Sequence, residues 1–169
     1  MTMTLPAASR HVLFPLAAAL VFLPKGASAQ VELCEQADRF LIEVMGMVTV
    51  VEPDTIDDWR TKAMVPGCRV TAAGASAQAD ADVARAFYQV LHESDWVRTP
   101  DPRDAPNEAS MRYRRDGADC LFNFYNSAMS LNTEAEMFVS DAVHRGPGEK
   151  LYNFLVMCTP AGPAAPRGG

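Results

Sequence analysis

The chain has 169 residues, a hydrophobic fraction of 49% and a formal net charge of −6 at pH 7. That length suits a single domain with one hydrophobic core. Because an acidic surface repels phosphate backbones and no basic cluster offsets it here, the composition argues against a nucleic-acid-binding protein.

Residues 1–29 have the three parts of a secretory signal peptide. Arg10 supplies positive charge, an apolar run covers residues 12–23, and Ala27-Ser28-Ala29 offers the small side chains that signal peptidase accepts. The apolar run is too short to span a bilayer, which takes ~20 residues. No second long apolar run follows, so we expect no membrane anchor. We predict cleavage between Ala29 and Gln30, which would export the protein to the periplasm or the medium.

The first half of the mature chain predicts a helix followed by a hairpin. Apolar residues recur at helical spacing from about Glu32 to Gly46, and glycine is a common helix stop. Val48–Val51 is β-branched and Cys68–Ala72 alternates, so both segments are typical of strands. The polar segment Glu52–Pro66 between them is predicted to be a long arm or turn, and it carries Trp59.

The second half begins with a helix from Asp80 to about Glu93, where a leading carboxylate satisfies free backbone N–H groups. Trp96–Arg98 predicts a short strand. Asp116-Gly117 is a strong hairpin turn signal, and it joins the predicted strands Ser110–Arg115 and Ala118–Tyr125.

The end of the chain is less regular. Residues 127–143 are ambiguous, with a strand at Met137–Val139 and a loop as the alternatives, and Leu151–Cys158 predicts a final strand. The Pro- and Gly-rich tail, residues 160–169, is predicted to be disordered. Residues 30–159 are therefore expected to form one α+β domain, an antiparallel sheet with two helices packed on one face.

An even number of cysteines in an exported chain favours two disulfides, and no C-x-x-C motif supports a redox or zinc site. The first helix and the hairpin should bring Cys34 close to Cys68. If the last strand pairs antiparallel with Ala118–Tyr125, Cys158 lies opposite Cys120. An intervening strand at Met137–Val139 would break this second pairing.

No catalytic or cofactor-binding motif is present. His92 and His144 are the only histidines after the predicted leader, and both have ordinary surface explanations. A catalytic role for His92 would use Asp95 as its partner, but no nucleophile is marked nearby. The acidic run from Glu52 to Asp58 lacks the central glycine and final glutamate of an EF-hand, so it does not predict a metal site.

We therefore expect a non-catalytic exported domain that binds a protein or a small ligand. An enzyme with scattered, hydrolase-like residues and a structural envelope component are the alternatives. Trp59 and Arg60 are candidate contact residues, because binding energy concentrates on tryptophan and arginine. The competing interpretation places Trp59 in the core, since large aromatic side chains are usually buried.

Overall fold

A computed structural model describes residues 25–58, 60–99, 110–126 and 130–162. They form the predicted α+β fold, with six strands in one antiparallel sheet. A π-helical turn, Phe40–Val44, continues the second helix. Gly46 follows two residues later with a φ of +64° and terminates this helical segment. The helices and strands in chain order are α1 (Lys25–Glu32), α2 (Glu35–Arg39), β1 (Val48–Asp58), β2 (Ala63–Ser76), α3 (Asp80–Glu93), β3 (Val97–Arg98), β4 (Ser110–Arg115), β5 (Ala118–Tyr125), α4 (Glu134–Ala142) and β6 (Lys150–Pro160).

The last strand lies in the middle of the sheet. The strand order is β1-β2-β6-β5-β4-β3, so β6 joins the first hairpin to the second. Because side chains alternate along a strand, the sheet has two distinct faces. We call the face that carries Phe122 and Phe154 the inner face, and the face that carries Asn123 and Leu155 the outer face.

The inner face holds the apolar core, which α2, its π-helical turn and α3 cover as predicted. The ring of Phe87 on α3 stacks on Phe154 with a centroid distance of 3.7 Å. Phe40 packs edge-on against Phe87, and Trp96 packs edge-on against Phe122. Truncation of a buried aromatic ring to alanine typically costs about 3–5 kcal/mol, so these contacts dominate the packing of the helices on the sheet.

Two disulfides with the predicted connectivity cross the core. Cys34 bonds to Cys68 and Cys120 bonds to Cys158, and all four residues are fully buried. The predicted register of β5 and β6 is confirmed, since Cys120 lies opposite Cys158. The first disulfide fastens the N-terminal helical segment to the sheet. Paired cysteines of this kind indicate an oxidising, extracytoplasmic compartment.

Residues 137–139 belong to helix α4, so the strand considered for Met137–Val139 is wrong. Thr133 caps the helix by accepting a hydrogen bond at 3.2 Å from the backbone N–H of Glu136, as in a capping box. Glu136 interacts with the outer-face residue Tyr125, and α4 contacts β1 and β2. Helix α4 therefore covers part of the outer face, opposite the two predicted helices.

The segment expected to be an arm or turn is almost entirely β-ladder. Strand β1 runs to Asp58 and β2 begins at Ala63, which leaves a connection of residues 59–62. Strand β6 pairs with β2 only from Cys68 onward, so this end of the hairpin projects past β6. Pro53 fits in β1 because β1 is an edge strand of the described sheet, where a missing backbone N–H is tolerated. We call residues 52–58 and 60–66 the hairpin arm.

Both ends of the described chain adjoin predicted boundaries. Helix α1 includes the predicted cleavage site between Ala29 and Gln30, while the apolar run of the leader lies outside the described residues. At the other end, the backbone N–H of Gly162 donates to Asp119 at 3.1 Å, so ordered contacts continue past residue 159. Within the described ranges, no helix has the length and apolarity needed to cross a membrane.

Candidate functional site

An ion-pair network fastens the hairpin arm to the outer face. The guanidinium of Arg60 donates to both oxygens of Asp58, and its Nη1 lies 3.0 Å from Oδ2 of Asp119 on β5. Because β6 separates β2 from β5, this contact draws the end of the arm across the sheet. The side chain of Arg60 is 11% exposed. Arg60 therefore holds the arm in place, and its predicted contact role stays a prediction, as does that of Trp59, which lies outside the described residues.

Asp119 is the centre of this network. Its side chain is fully buried and accepts hydrogen bonds from Nε and Nη2 of Arg114, at 2.6 and 2.8 Å, as well as from Arg60 and Gly162. Burial alone would raise the pKa of Asp119, but these hydrogen bonds outweigh it and lower the pKa below its ordinary value. The pKa of Asp58 is lowered in the same way, by its hydrogen bonds with Arg60 against the effect of burial.

A cavity of about 240 Å³ lies on the outer face beside the hairpin arm, and we call it the arm cavity. Its floor comes from the central strands β2 and β6. One wall is the hairpin arm, and the opposite wall is the segment that leads into α4. The lining residues are Asp54, Arg69, Thr71, Leu131, Thr133, Leu155 and Met157.

Arg69, at the charged wall of the arm cavity, lies closer to Glu52 than to Asp54. Nε and Nη2 of Arg69 both lie 3.0 Å from Oε2 of Glu52, whereas Nη1 lies 3.6 Å from Oδ2 of Asp54. Oδ1 of Asp54 accepts the backbone N–H of Thr55 at 2.8 Å. Among the described residues, Oδ2 of Asp54 thus accepts no hydrogen bond. Glu52 therefore holds the arginine by two short contacts, and Asp54 contributes a longer ion pair.

The floor of the arm cavity contains a hydroxyl with no protein partner. Thr71 is only 1% exposed, and within the described ranges its Oγ1 makes no hydrogen bond. A buried hydroxyl that forms no hydrogen bond costs about 1–3 kcal/mol, so such groups normally have a partner. Thr71 is also one of the residues that line the arm cavity.

Beneath α4 the outer face is also polar. The side chain of Asn153 is fully buried, and neither its oxygen nor its nitrogen has a partner among the described residues. Oε2 of Glu136, also fully buried, accepts the backbone N–H groups of Leu131 and Asn132. Burial raises the pKa of Tyr125, and the nearby charge of Glu136 raises it further. The outer face therefore differs from the apolar inner face by the polar groups it buries.

A larger groove of about 550 Å³ lies on the inner side, between α3 and the strands β4 and β5. Its walls are mostly apolar and include Tyr88, Met111 and Phe124. Its polar groups are already paired, since the Tyr88 hydroxyl donates to the carbonyl of Phe122 and Asp80 accepts from Asn126. Among the described residues that line this groove, no buried polar atom lacks a hydrogen-bond partner, so we favour the arm cavity as the candidate site.

The structure does not bring the other candidate residues together. His92 and His144 are exposed, and in the described part of the chain no hydrogen bond or ion pair joins His92 to Asp95. The sulfurs of Cys34, Cys68 and Cys158 lie within 4.8 Å of one another, but each belongs to a disulfide and is not a free thiolate ligand.

Comparison of the chain with family models, curated proteins and solved structures finds no match. Function must therefore be argued from the site. Sequence analysis missed the arm cavity because its walls come from distant segments, although the alternation of Arg69 and Thr71 with buried neighbours marks one face of β2. The acidic run is also explained, since Asp58 pairs with Arg60, and Arg69 contacts both Glu52 and Asp54.

Proposed function

We propose that this protein is an exported, non-catalytic domain that binds a small ligand in the arm cavity. The observation that carries the proposal is Thr71, which lines a cavity and whose buried hydroxyl has no hydrogen-bond partner among the residues that the structure describes. Ligand sites combine apolar walls with a few oriented polar groups. The apolar residues Leu155 and Met157 beside Asp54 and Thr71 give the arm cavity that composition.

Export is the second part of the proposal. Its support is the leader pattern of residues 1–29 together with the two disulfides, which suit the periplasm or the extracellular medium. N-terminal sequencing of the exported protein should begin at Gln30. Exported protein that retains Met1 would contradict cleavage.

Ligand binding can be tested with a library of small fragments and amide chemical shifts. We expect binders to shift the amide signals of Thr71, Leu155 and Met157, which lie on the floor of the arm cavity. The groove between α3 and the strands β4 and β5, which we call the α3 groove, provides the internal comparison. Its signals are those of Ala84, Met111 and Phe124, which should shift less than the signals of the arm cavity. Fragments that perturb only the α3 groove, or no fragment binding at all, would contradict the proposal.

Protein binding through the hairpin arm is the second candidate function. Two observations favour it: the arm projects past β6, and Met64 on it is 62% exposed. Exposed strand edges and apolar side chains are common features of protein interfaces. If Trp59 contacts the partner, its truncation to alanine should weaken the free energy of binding by about 2 kcal/mol. A thermal melt and a binding isotherm of Trp59→Ala test this, and unchanged affinity with a large loss of stability would end it.

A further inference from the structure

The two disulfides lie against each other in the core. The Sγ atoms of Cys34, Cys68 and Cys158 all lie within 4.8 Å of one another, although they belong to two different disulfides. Thiol–disulfide exchange requires that a free thiolate reach a sulfur of an existing disulfide. A thiol released from the Cys34–Cys68 bond would therefore already face a sulfur of the second disulfide.

The register of the sheet aligns the sulfurs that such an exchange would use. Cys68 on β2 lies opposite Cys158 on β6, and Cys158 lies opposite Cys120 on β5. The three side chains therefore form one row across neighbouring strands, on the inner face of the sheet. Cys68 approaches Cys158 from the side away from Cys120. In this arrangement the departing sulfur leaves opposite the attacking one.

The product of the exchange also fits the spacing of the strands. The Cα atoms of Cys120 and Cys158 are 4.1 Å apart, which is typical of the closely spaced, non-hydrogen-bonded pairs of an antiparallel ladder. Cys158 then forms the hydrogen-bonded kind of pair with Cys68 on its other side, at a Cα separation of about 5.5 Å. Disulfides span Cα separations of about 4.4–6.8 Å, so a bond between Cys68 and Cys158 fits between β2 and β6.

We propose that Cys34, Cys68 and Cys158 form a buried thiol–disulfide exchange site whose external substrate is a dithiol reductant. The dithiol transfers two electrons and two protons to the Cys34–Cys68 bond and becomes a disulfide itself. The Cys68 thiolate then forms a bond to Sγ of Cys158, and the bond from Cys158 to Cys120 breaks. Cys120 leaves as a thiolate and takes up the proton that Cys68 lost. This second step involves no net oxidation or reduction.

The exchange moves a covalent link from the N-terminal helical segment into the sheet. A new disulfide joins β2 to β6, and Cys34 and Cys120 become thiols. The helical segment that contains α2 is then no longer bonded to the sheet. All four cysteines are fully buried, so the dithiol reaches the Cys34–Cys68 bond when this helical segment opens locally.

The full-length variant Cys34→Ala tests the exchange without an external reductant, because it leaves a thiol at Cys68 beside Cys158. Incubation of the folded variant at about pH 8.5, near the ordinary thiol pKa, supplies the thiolate. Acid quenching, alkylation and non-reducing peptide mapping then identify the disulfides. We expect Cys68–Cys158 in on the order of one-tenth of the molecules or more, because both isomers are cross-strand disulfides between directly opposite residues.

Cys158→Ala provides the matched control. It also leaves a single thiol, at Cys120, but it removes the sulfur that lies against both partners of the other disulfide. We therefore expect this variant to retain only the Cys34–Cys68 bond. The isomer formed also distinguishes folded from unfolded exchange. Cys68 is closer in sequence to Cys120 than to Cys158, so an unfolded chain forms Cys68–Cys120 more readily.

Partial reduction of the unaltered protein with dithiothreitol gives a second test, which does not depend on the folding of a variant. Molecules trapped with one disulfide should include the Cys68–Cys158 isomer, with Cys34 and Cys120 alkylated. Native disulfides alone, both here and in Cys34→Ala, would overturn the proposal. Cys68–Cys120 as abundant as Cys68–Cys158, or exchange in the Cys158→Ala control, would also overturn it, because the pairing would then reflect an unfolded chain.

Discussion

Replacing Asp119 tests the ion-pair network that fastens the hairpin arm to the outer face. Asp119→Asn keeps the shape of the side chain but removes the charge that faces the guanidinium groups of Arg60 and Arg114. Removing one partner of a buried ion pair typically costs about 3–5 kcal/mol. Arg60 keeps its contact with Asp58 and the side chain of Arg114 is 33% exposed, so we expect the lower end, about 3 kcal/mol.

Urea denaturation at pH 7 measures this loss. Asp116→Asn provides the control, because Asp116 lies in the same hairpin, is 66% exposed and contacts Arg115 only at 3.9 Å. Its free energy of unfolding should change by less than about 0.5 kcal/mol. A loss below about 1 kcal/mol for Asp119→Asn would refute the role assigned to the network.

The same variant should change the response to acid. The folded-state pKa of Asp119 is lowered from its ordinary value of 3.8, so the unfolded chain binds the proton more readily. The stabilisation is therefore complete above about pH 4 and is lost as the pH falls through the folded-state pKa. Between about pH 4 and pH 2, the free energy of unfolding should decline less steeply for Asp119→Asn than for the unaltered protein. Equal slopes would contradict the assignment.

Three further predictions concern the fold and the histidines. Gly67→Ala should destabilise the protein by about 2–3 kcal/mol in urea, because its Cβ would overlap the backbone carbonyl of Cys158, whereas Gly146→Ala should cost far less. Removing either disulfide by paired Cys→Ala substitution should cost about 3–4 kcal/mol, similar for both because their sequence separations are 34 and 38 residues. His92→Ala and His144→Ala should leave the free energy of unfolding and the binding of fragments unchanged, since both side chains are exposed. If either variant loses function while it remains folded, the enzyme alternative is favoured.

Local sequence signals predicted most of the fold. The leading carboxylates and apolar stripe of α3 gave its bounds, Asp80 and Glu93, and Asp116-Gly117 identified the hairpin, where both residues have positive φ. The disulfides followed from the order of the elements. Helix α4 was missed because the apolar segment Met137–Val139 favoured a strand, whereas the structure begins a helix at Glu134 with Thr133 as its N-cap.

The arm cavity could not be predicted from local signals. Its lining residues come from segments of the chain as far apart as Asp54 and Met157. The acids of residues 52–58 and the flanking Pro53 and Pro66 indicated an arm or turn, yet pairing of β1 with β2 holds these residues in strands. Long-range contacts of this kind override local propensity.

A crystal structure of the protein soaked with the fragments that shift its amide signals tests the central claim most directly. We predict density for a fragment in the arm cavity, in contact with Thr71, Leu155 and Met157. An empty arm cavity at saturating ligand, or ligand bound only in the α3 groove, would contradict the account.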